Sequence, residues 1–153
     1  MNNINNNRIL PHFPLTPDIV ISTIIDRQSE LFSLLDTINT RLDEAPAGTL
    51  RIANRGNRPQ YYHRLDSNDR KGSYIKKKKE LTLIKNLAQK EYDLRIKKEV
   101  ECELQALTDF LKNYSPEQIE QAYDSLNTAR QELISPAYIA TKDIIHQWND
   151  IQY

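Results

Sequence analysis

The 153 residues include one cysteine, one methionine, one tryptophan and three glycines. A single thiol, Cys102, excludes an intrachain disulfide framework and fits a reducing compartment. No apolar run approaches the roughly 18 residues of a membrane span, so no membrane partner is expected. The opening MNNINNNRILPHFP lacks the basic region and apolar stretch of a signal peptide. A cytoplasmic location follows as the expectation. Glycine-rich phosphate loops, Ser/His/Asp arrangements and clustered metal ligands are missing as well. The reading is therefore a non-enzyme without a cofactor.

Net charge is also lacking, with 21 Lys+Arg against 21 Asp+Glu. That balance is not local. The stretch Gly48 to Lys79, GTLRIANRGNRPQYYHRLDSNDRKGSYIKKKK, holds ten Lys/Arg and two Asp, a net of +8, so the rest of the chain carries −8. The same stretch contains all three glycines and three of the eight tyrosines. Segregation of this kind bears on what the molecule binds rather than on how it folds.

Residues 1–15 read as a disordered or loosely packed arm, asparagine-rich at first, with Ile9, Leu10, Phe13 and Leu15 between prolines. Thr16-Pro17-Asp18 reads as a helix start: a cap, a proline at the first helical position and an acid for the dipole. From there a long helix is expected over 16–45. Ile21, Ile24, Gln28, Leu31, Leu35, Ile38 and Leu42 follow the three-and-four spacing of a coiled-coil seam, and Ile25, Phe32 and Leu34 widen it.

Ala45-Pro46-Ala47-Gly48 ends that helix. Thr49 to Ala53 alternates, Asn54-Arg55-Gly56-Asn57 supplies turn chemistry, and Gln60 to Leu65 favours a strand. After the loop Asp66 to Gly72, Ser73 to Lys76 makes a short third strand. Residues 48–79 are thus expected to form a basic antiparallel meander, which needs a helix on one face. A second long helix follows over 80–114. Its apolar residues fall on two sides. Leu81, Leu83, Ile84, Leu87, Ala88 and Leu94 should face the sheet and the first helix. Ile96, Val100, Leu104, Leu107 and Leu111 should face C-terminal helices.

Those short helices occupy 115–153. Ser115-Pro116-Glu117-Gln118 reads as a capping box, Asn127 as the cap of a short helix, and Thr141 as the start of a last one with Ile144, Ile145, Trp148 and Ile151. Trp148 and Tyr153 read as packing anchors. The fold class is mainly α with a small β part: a long antiparallel helical hairpin, a three-stranded β-meander inserted between its helices, and short C-terminal helices. All of it is expected to form one structural unit.

The basic segment is the candidate site. Arg51, Arg55, Arg58, Tyr61, Tyr62, Arg64, Lys76 and Lys78 are expected to contact phosphates or a groove, because cations neutralise phosphate and tyrosines add hydroxyls or stacking faces. Nucleic acid, DNA first, is the expected partner. An ordinary solvated face, or attraction to the acidic remainder or to an acidic partner, stands as the alternative. The run Lys76 to Lys79 opposes the dipole of the following helix, which makes a phosphate partner more attractive. A different function class is also open: an oligomerisation or protein-interaction element using the first helix as a homodimer seam, encoded by a mobile element and acting on a host protein.

His63 has no companions at ligand spacing, since His12 and His146 are far off. Asp69-Arg70-Lys71 spells the D-x-K of metal-dependent nucleases but sits in a turn without a second acidic element. Cys102 lies among glutamates, which oppose thiolate formation, and reads as structural.

From Gly48 through LAQKEYDL, and again over YSPEQIEQAYDSLNTARQELISP, the chain resembles a family of uncharacterised proteins from low-G+C Gram-positive bacteria. Members share a glycine–Leu-Arg-Ile opening, a QYYHR strand and a GxYI segment ahead of long helices. The similarity covers about residues 30 to 150. Longer members look as if they continue into a nuclease-like domain of the restriction-endonuclease type, and this chain matches only the region before it. The resemblance implies an accessory region that delivers a nuclease to its substrate. In outline, the meander followed by a helix also resembles the arm-type DNA-binding domains of integrases.

Overall fold

The computed structural model describes residues 16–137. The N-terminal arm, the helix expected from Thr141, Trp148, Tyr153, His12 and His146 lie outside the described residues. Helix α1 spans Pro17–Glu44, strand β1 Thr49–Arg55, β2 Arg58–Arg64, β3 Ser73–Ile75 and helix α2 Leu81–Asn113, followed by the short helices α3 (Glu117–Asp124) and α4 (Thr128–Gln131). The single unit expected from the sequence divides into two compact ones, Asp18–Leu111 and a second that includes Thr16, Pro17 and the described residues from Lys112 onward. Among the described residues no helix is long and apolar enough to cross a membrane.

In the first unit, α1 begins at the expected proline with Asp18 in its first turn and Arg41 in its last. Both ends suit the helix dipole. Its seam does not wait for a second chain. Leu31 and Ile38 are buried with Val100 and Leu104 of α2, and Leu35, Leu42, Ile96 and Leu107 close around them. The pairs Arg27–Glu103 and Arg41–Asp93 run up α1 and down α2, so the two helices are antiparallel. Gln28 donates to Thr108 Oγ1 at 3.3 Å, which gives that seam position a partner on α2.

A second cluster joins Ile75 of β3 to Ile84 and Leu87 of α2, with Leu50, Tyr61 and Leu83 packed against it. One helix therefore serves two cores, as its two apolar sides predict. The partner of the second side is corrected: Ile96, Val100, Leu104 and Leu107 pack on α1 rather than on C-terminal helices. Leu81 and Leu94, expected in the first core, are exposed.

The sheet is antiparallel in the order β1-β2-β3. Arg55 pairs with Arg58 across a two-residue turn. Gly56 there has φ +66° and Asn57 has no positive φ, the type II′ pattern that matches strand twist.

In the second unit, α3 is not capped by the Ser115 side chain. Pro116 precedes α3 in αR geometry without a side-chain hydrogen bond, and Ser115 takes part through its carbonyl, which accepts from Gln118 N at 3.2 Å. Asn127 caps α4 as its sequence predicts, its Oδ1 accepting from Arg130 N at 2.9 Å.

Candidate nucleic-acid interface

Side chains alternate along a strand, so register alone sorts the basic segment into two faces. Leu50, Ile52, Tyr61, His63, Ser73 and Ile75 are cross-strand neighbours on the face that meets α2. Thr49, Arg51, Ala53, Arg55, Arg58, Gln60, Tyr62, Arg64 and Tyr74 share the opposite, open face. Arg51, Arg55, Arg58 and Tyr62 thus share one face; Arg64 shares it by register but lies at the opposite end of the hairpin, near Leu87 and Lys90 of α2. Tyr61 does not: it is half-buried against Ile75, Ile84 and Leu87, and serves as a core residue. Tyr74, absent from the sequence-based set, joins the open face and is 57% exposed.

The open face is locally organised. The Arg51 guanidinium lies over the Tyr62 ring, 5.0 Å from its centroid. Tyr62 and Tyr74 meet edge to face, with centroids 5.7 Å apart and planes at 68°. The Tyr62 hydroxyl donates to Gln60 Oε1 at 3.0 Å. Arg51 Nη1 also donates to the Lys71 carbonyl at 3.3 Å, tying the β2–β3 loop to β1. Arg55 and Arg58 face each other across the tight turn, an arrangement of like charges that costs free energy without a counter-anion.

One oxygen of each carboxylate in the segment accepts from backbone. Asp66 Oδ1 accepts from Asn68 N at 2.7 Å and Asp69 N at 3.0 Å, and Asp69 Oδ1 accepts from Gly72 N at 2.8 Å. Asp69 therefore braces a turn, which accounts for the D-x-K spelling. The ion pairs among the described residues join Arg27 to Glu30 and Glu103, Arg41 to Asp93, and Arg95 to Glu91. None of them uses a cation of the segment. Its positive groups are not neutralised by the acidic remainder of the chain through any of these pairs.

Lys76 and Lys78 sit in the exposed turn between β3 and α2. The Lys76 carbonyl accepts from Lys79 N and Glu80 N, both at 3.0 Å. Arg64, at the far end of β2, is half-buried, and its Nε is enclosed with no hydrogen-bond partner. A Cβ on Gly72 would come within 3.1 Å of the Arg64 Cγ, so the Arg64 stem lies along that glycine.

His63 acts as a brace. Its Nε2 donates to the Ala47 carbonyl at 2.8 Å. Lys90 of α2 donates to the carbonyls of Pro46 at 2.9 Å and Gly48 at 3.0 Å. Three successive carbonyls of the α1–β1 connection are thereby caught by side chains, fixing the sheet where it leaves the helix. Cys102, read as structural from its sequence, is a free and exposed thiol on α2. Among the described residues no group of three or more His, Cys, Asp and Glu side chains gathers as a metal site.

Sequence reasoning also missed Asp93. It is 1% exposed, accepts from Gln89 Nε2 at 2.8 Å and lies 3.6 Å from Arg41 Nη1. The signal was its spacing: Asp93 stands seven residues before Val100 and so on the same stripe of α2.

No family model matches the chain, and neither does any curated protein or solved structure.

Proposed function

We propose that the chain is a non-enzymatic nucleic-acid-binding module, DNA first, and that the open face of the sheet is its binding surface. The observation that carries this reading is the gathering of Arg51, Arg55, Arg58, Tyr62, Arg64 and Tyr74 on one face, with the segment's two carboxylates bonded to backbone instead. Lys76 and Lys78 extend the positive surface toward α2. Phosphate oxygens supply what the facing Arg55 and Arg58 lack, and a polyanion relieves their repulsion. The accessory-region role implied by the family resemblance is compatible with such a surface.

A homodimer through α1 has weaker support. Leu31, Leu35, Ile38 and Leu42 are engaged with α2, and the large apolar residues that α1 leaves exposed are Ile19, Ile25, Phe32 and Leu34.

The test is a fluorescence-anisotropy titration with a labelled 20-nucleotide probe at rising salt. Engagement of about six phosphates lowers affinity by roughly a thousand-fold between 50 and 200 mM. Binding indifferent to salt, or no binding at low salt, overturns the reading.

A further inference from the structure

We infer that the open face of the sheet receives unpaired bases, so that its ligand is single-stranded nucleic acid rather than a duplex. The inference rests on the nucleic-acid reading above and narrows it.

Tyr74 carries the inference. It stands on the edge strand β3, on the face away from α2, and is more than half exposed. Its contact with Tyr62 is edge to face. In that geometry at least one face of the Tyr74 ring is left uncovered by Tyr62, whichever ring presents its edge. Tyr62 is differently placed, because one of its faces is already taken by the Arg51 guanidinium. The pair therefore consists of a braced ring and an available one.

A duplex has little to offer such a ring. Its bases are stacked on one another, and its grooves display only base edges, methyl groups and backbone. A single strand turns its bases outward, and every base has a π-face that can lie on tyrosine. The cations are distributed to match. Arg51 lies beside the rings, and Arg55 and Arg58 stand four residues further toward the hairpin on the same face, so a strand with one base on Tyr74 can run its phosphates along them. The Gln60 side chain, held by the Tyr62 hydroxyl at 3.0 Å, adds an amide that can meet a base edge.

The full chain should be titrated with labelled oligo-dT, its RNA counterpart, and a blunt hairpin duplex of equal length, all at low salt. A single strand, of either sugar, is expected to bind at least ten-fold more tightly than the duplex. Tyr74→Ala should lower single-strand affinity by roughly five- to a hundred-fold, and by more than it lowers duplex affinity. Tyr74→Phe should keep the wild-type value. If Tyr74→Ala does not fold, Tyr74→Leu removes the π-face while retaining an apolar side chain on β3. Duplex binding as tight as single-strand binding, or wild-type single-strand affinity in the Ala or Leu variant, overturns this inference and spares the broader reading. Absence of binding to all three probes removes both.

Discussion

The guanidinium of Arg51 lies over the ring of Tyr62 while one of its Nη atoms holds the carbonyl of Lys71. One side chain on β1 thereby organises β2 and the loop leading to β3. Cation–π stacking at an exposed site contributes about 0.5–1 kcal/mol. Arg51→Ala is expected to cost roughly 1 kcal/mol of stability, read as a fall in urea midpoint, and to weaken oligonucleotide binding. Arg51→Lys should restore the salt slope of binding, because the charge returns. It should not restore stability, since an ammonium lacks the planar fork that stacks and bonds at once.

Gly48 and Gly56 both have positive φ, at +87° and +66°, and only one of them is crowded. A Cβ on Gly48 would run into the Arg64 carbonyl oxygen and come within 2.8 Å of His63 Nε2, whereas one on Gly56 meets nothing within 4 Å. Gly56→Ala should therefore cost only the backbone term, at least about 1–2 kcal/mol. Gly48→Ala adds a clash with backbone that cannot move aside, and should cost clearly more. Urea denaturation of the two variants checks the order. Equal losses would mean that the α1–β1 connection yields easily.

Much of this arrangement is legible before any coordinates. Pro17 and Asp18 mark the start of α1, the three-and-four spacing marks its buried stripe, and Gly56-Asn57 marks the hairpin. Periodicity names an apolar face but not what covers it, so the second side of α2 reads as facing C-terminal helices although α1 covers it. Tyr61 and Tyr62 carry a finer lesson. Adjacent strand residues cannot share a face, so only one of them can belong to an open surface. Once β2 pairs with β3, Ile75 opposite Tyr61 marks the core side and Tyr74 opposite Tyr62 the open one. Asp93 defeats pattern reading for another reason. A charged residue in an apolar stripe looks like an interruption until its partner Arg41 on the other long helix is known.

Arg41 and Asp93 form a lopsided pair, the arginine half exposed and the carboxylate enclosed. Arg41→Met leaves a buried negative charge with the Gln89 amide as its donor at 2.8 Å. The expected loss is about 1–3 kcal/mol, below that of breaking a fully buried pair because the arginine is hydrated. Asp93→Asn in the Arg41→Met background should recover most of it, since the charge disappears while an amide-sized group still fills the site. Failure to recover would show that Arg41 contributes through packing of its stem.

Arg27 and Glu103 make a two-pronged contact across the helical hairpin, at 2.7 and 3.0 Å. The hydrogen bond from Arg27 holds the Glu103 carboxyl below its ordinary range, and the same bond, with a further one to Glu30, raises the already high Arg27 value. A depressed carboxyl contributes stability above its unfolded pKa and loses it as pH falls through the folded one. The raised arginine would lose its share only in strong alkali, so both are intact at neutrality. Glu103→Gln should therefore be less stable than the wild type at pH 7, with the gap closing as pH falls through and below the ordinary carboxylate range. High salt should narrow the gap at pH 7, because both groups are largely exposed. A gap that stays constant with pH would assign the loss to packing.

The two apolar clusters of the first unit share α2 but no residue: Ile38 packs with Leu31, Val100 and Leu104, and Ile84 with Ile75 and Leu87. Removing one methylene from each site tests whether they are energetically separate. Ile38→Val and Ile84→Val should each cost about 0.5–1.5 kcal/mol. Side chains without common neighbours perturb different contacts, so the double variant should lose the sum to within about 0.5 kcal/mol. Urea midpoints with unchanged m-values supply the measurement. A coupling well beyond that margin would mean that α2 transmits strain between the sheet and α1. Mutations on the open face would then have to be corrected for changes at the far end of the hairpin.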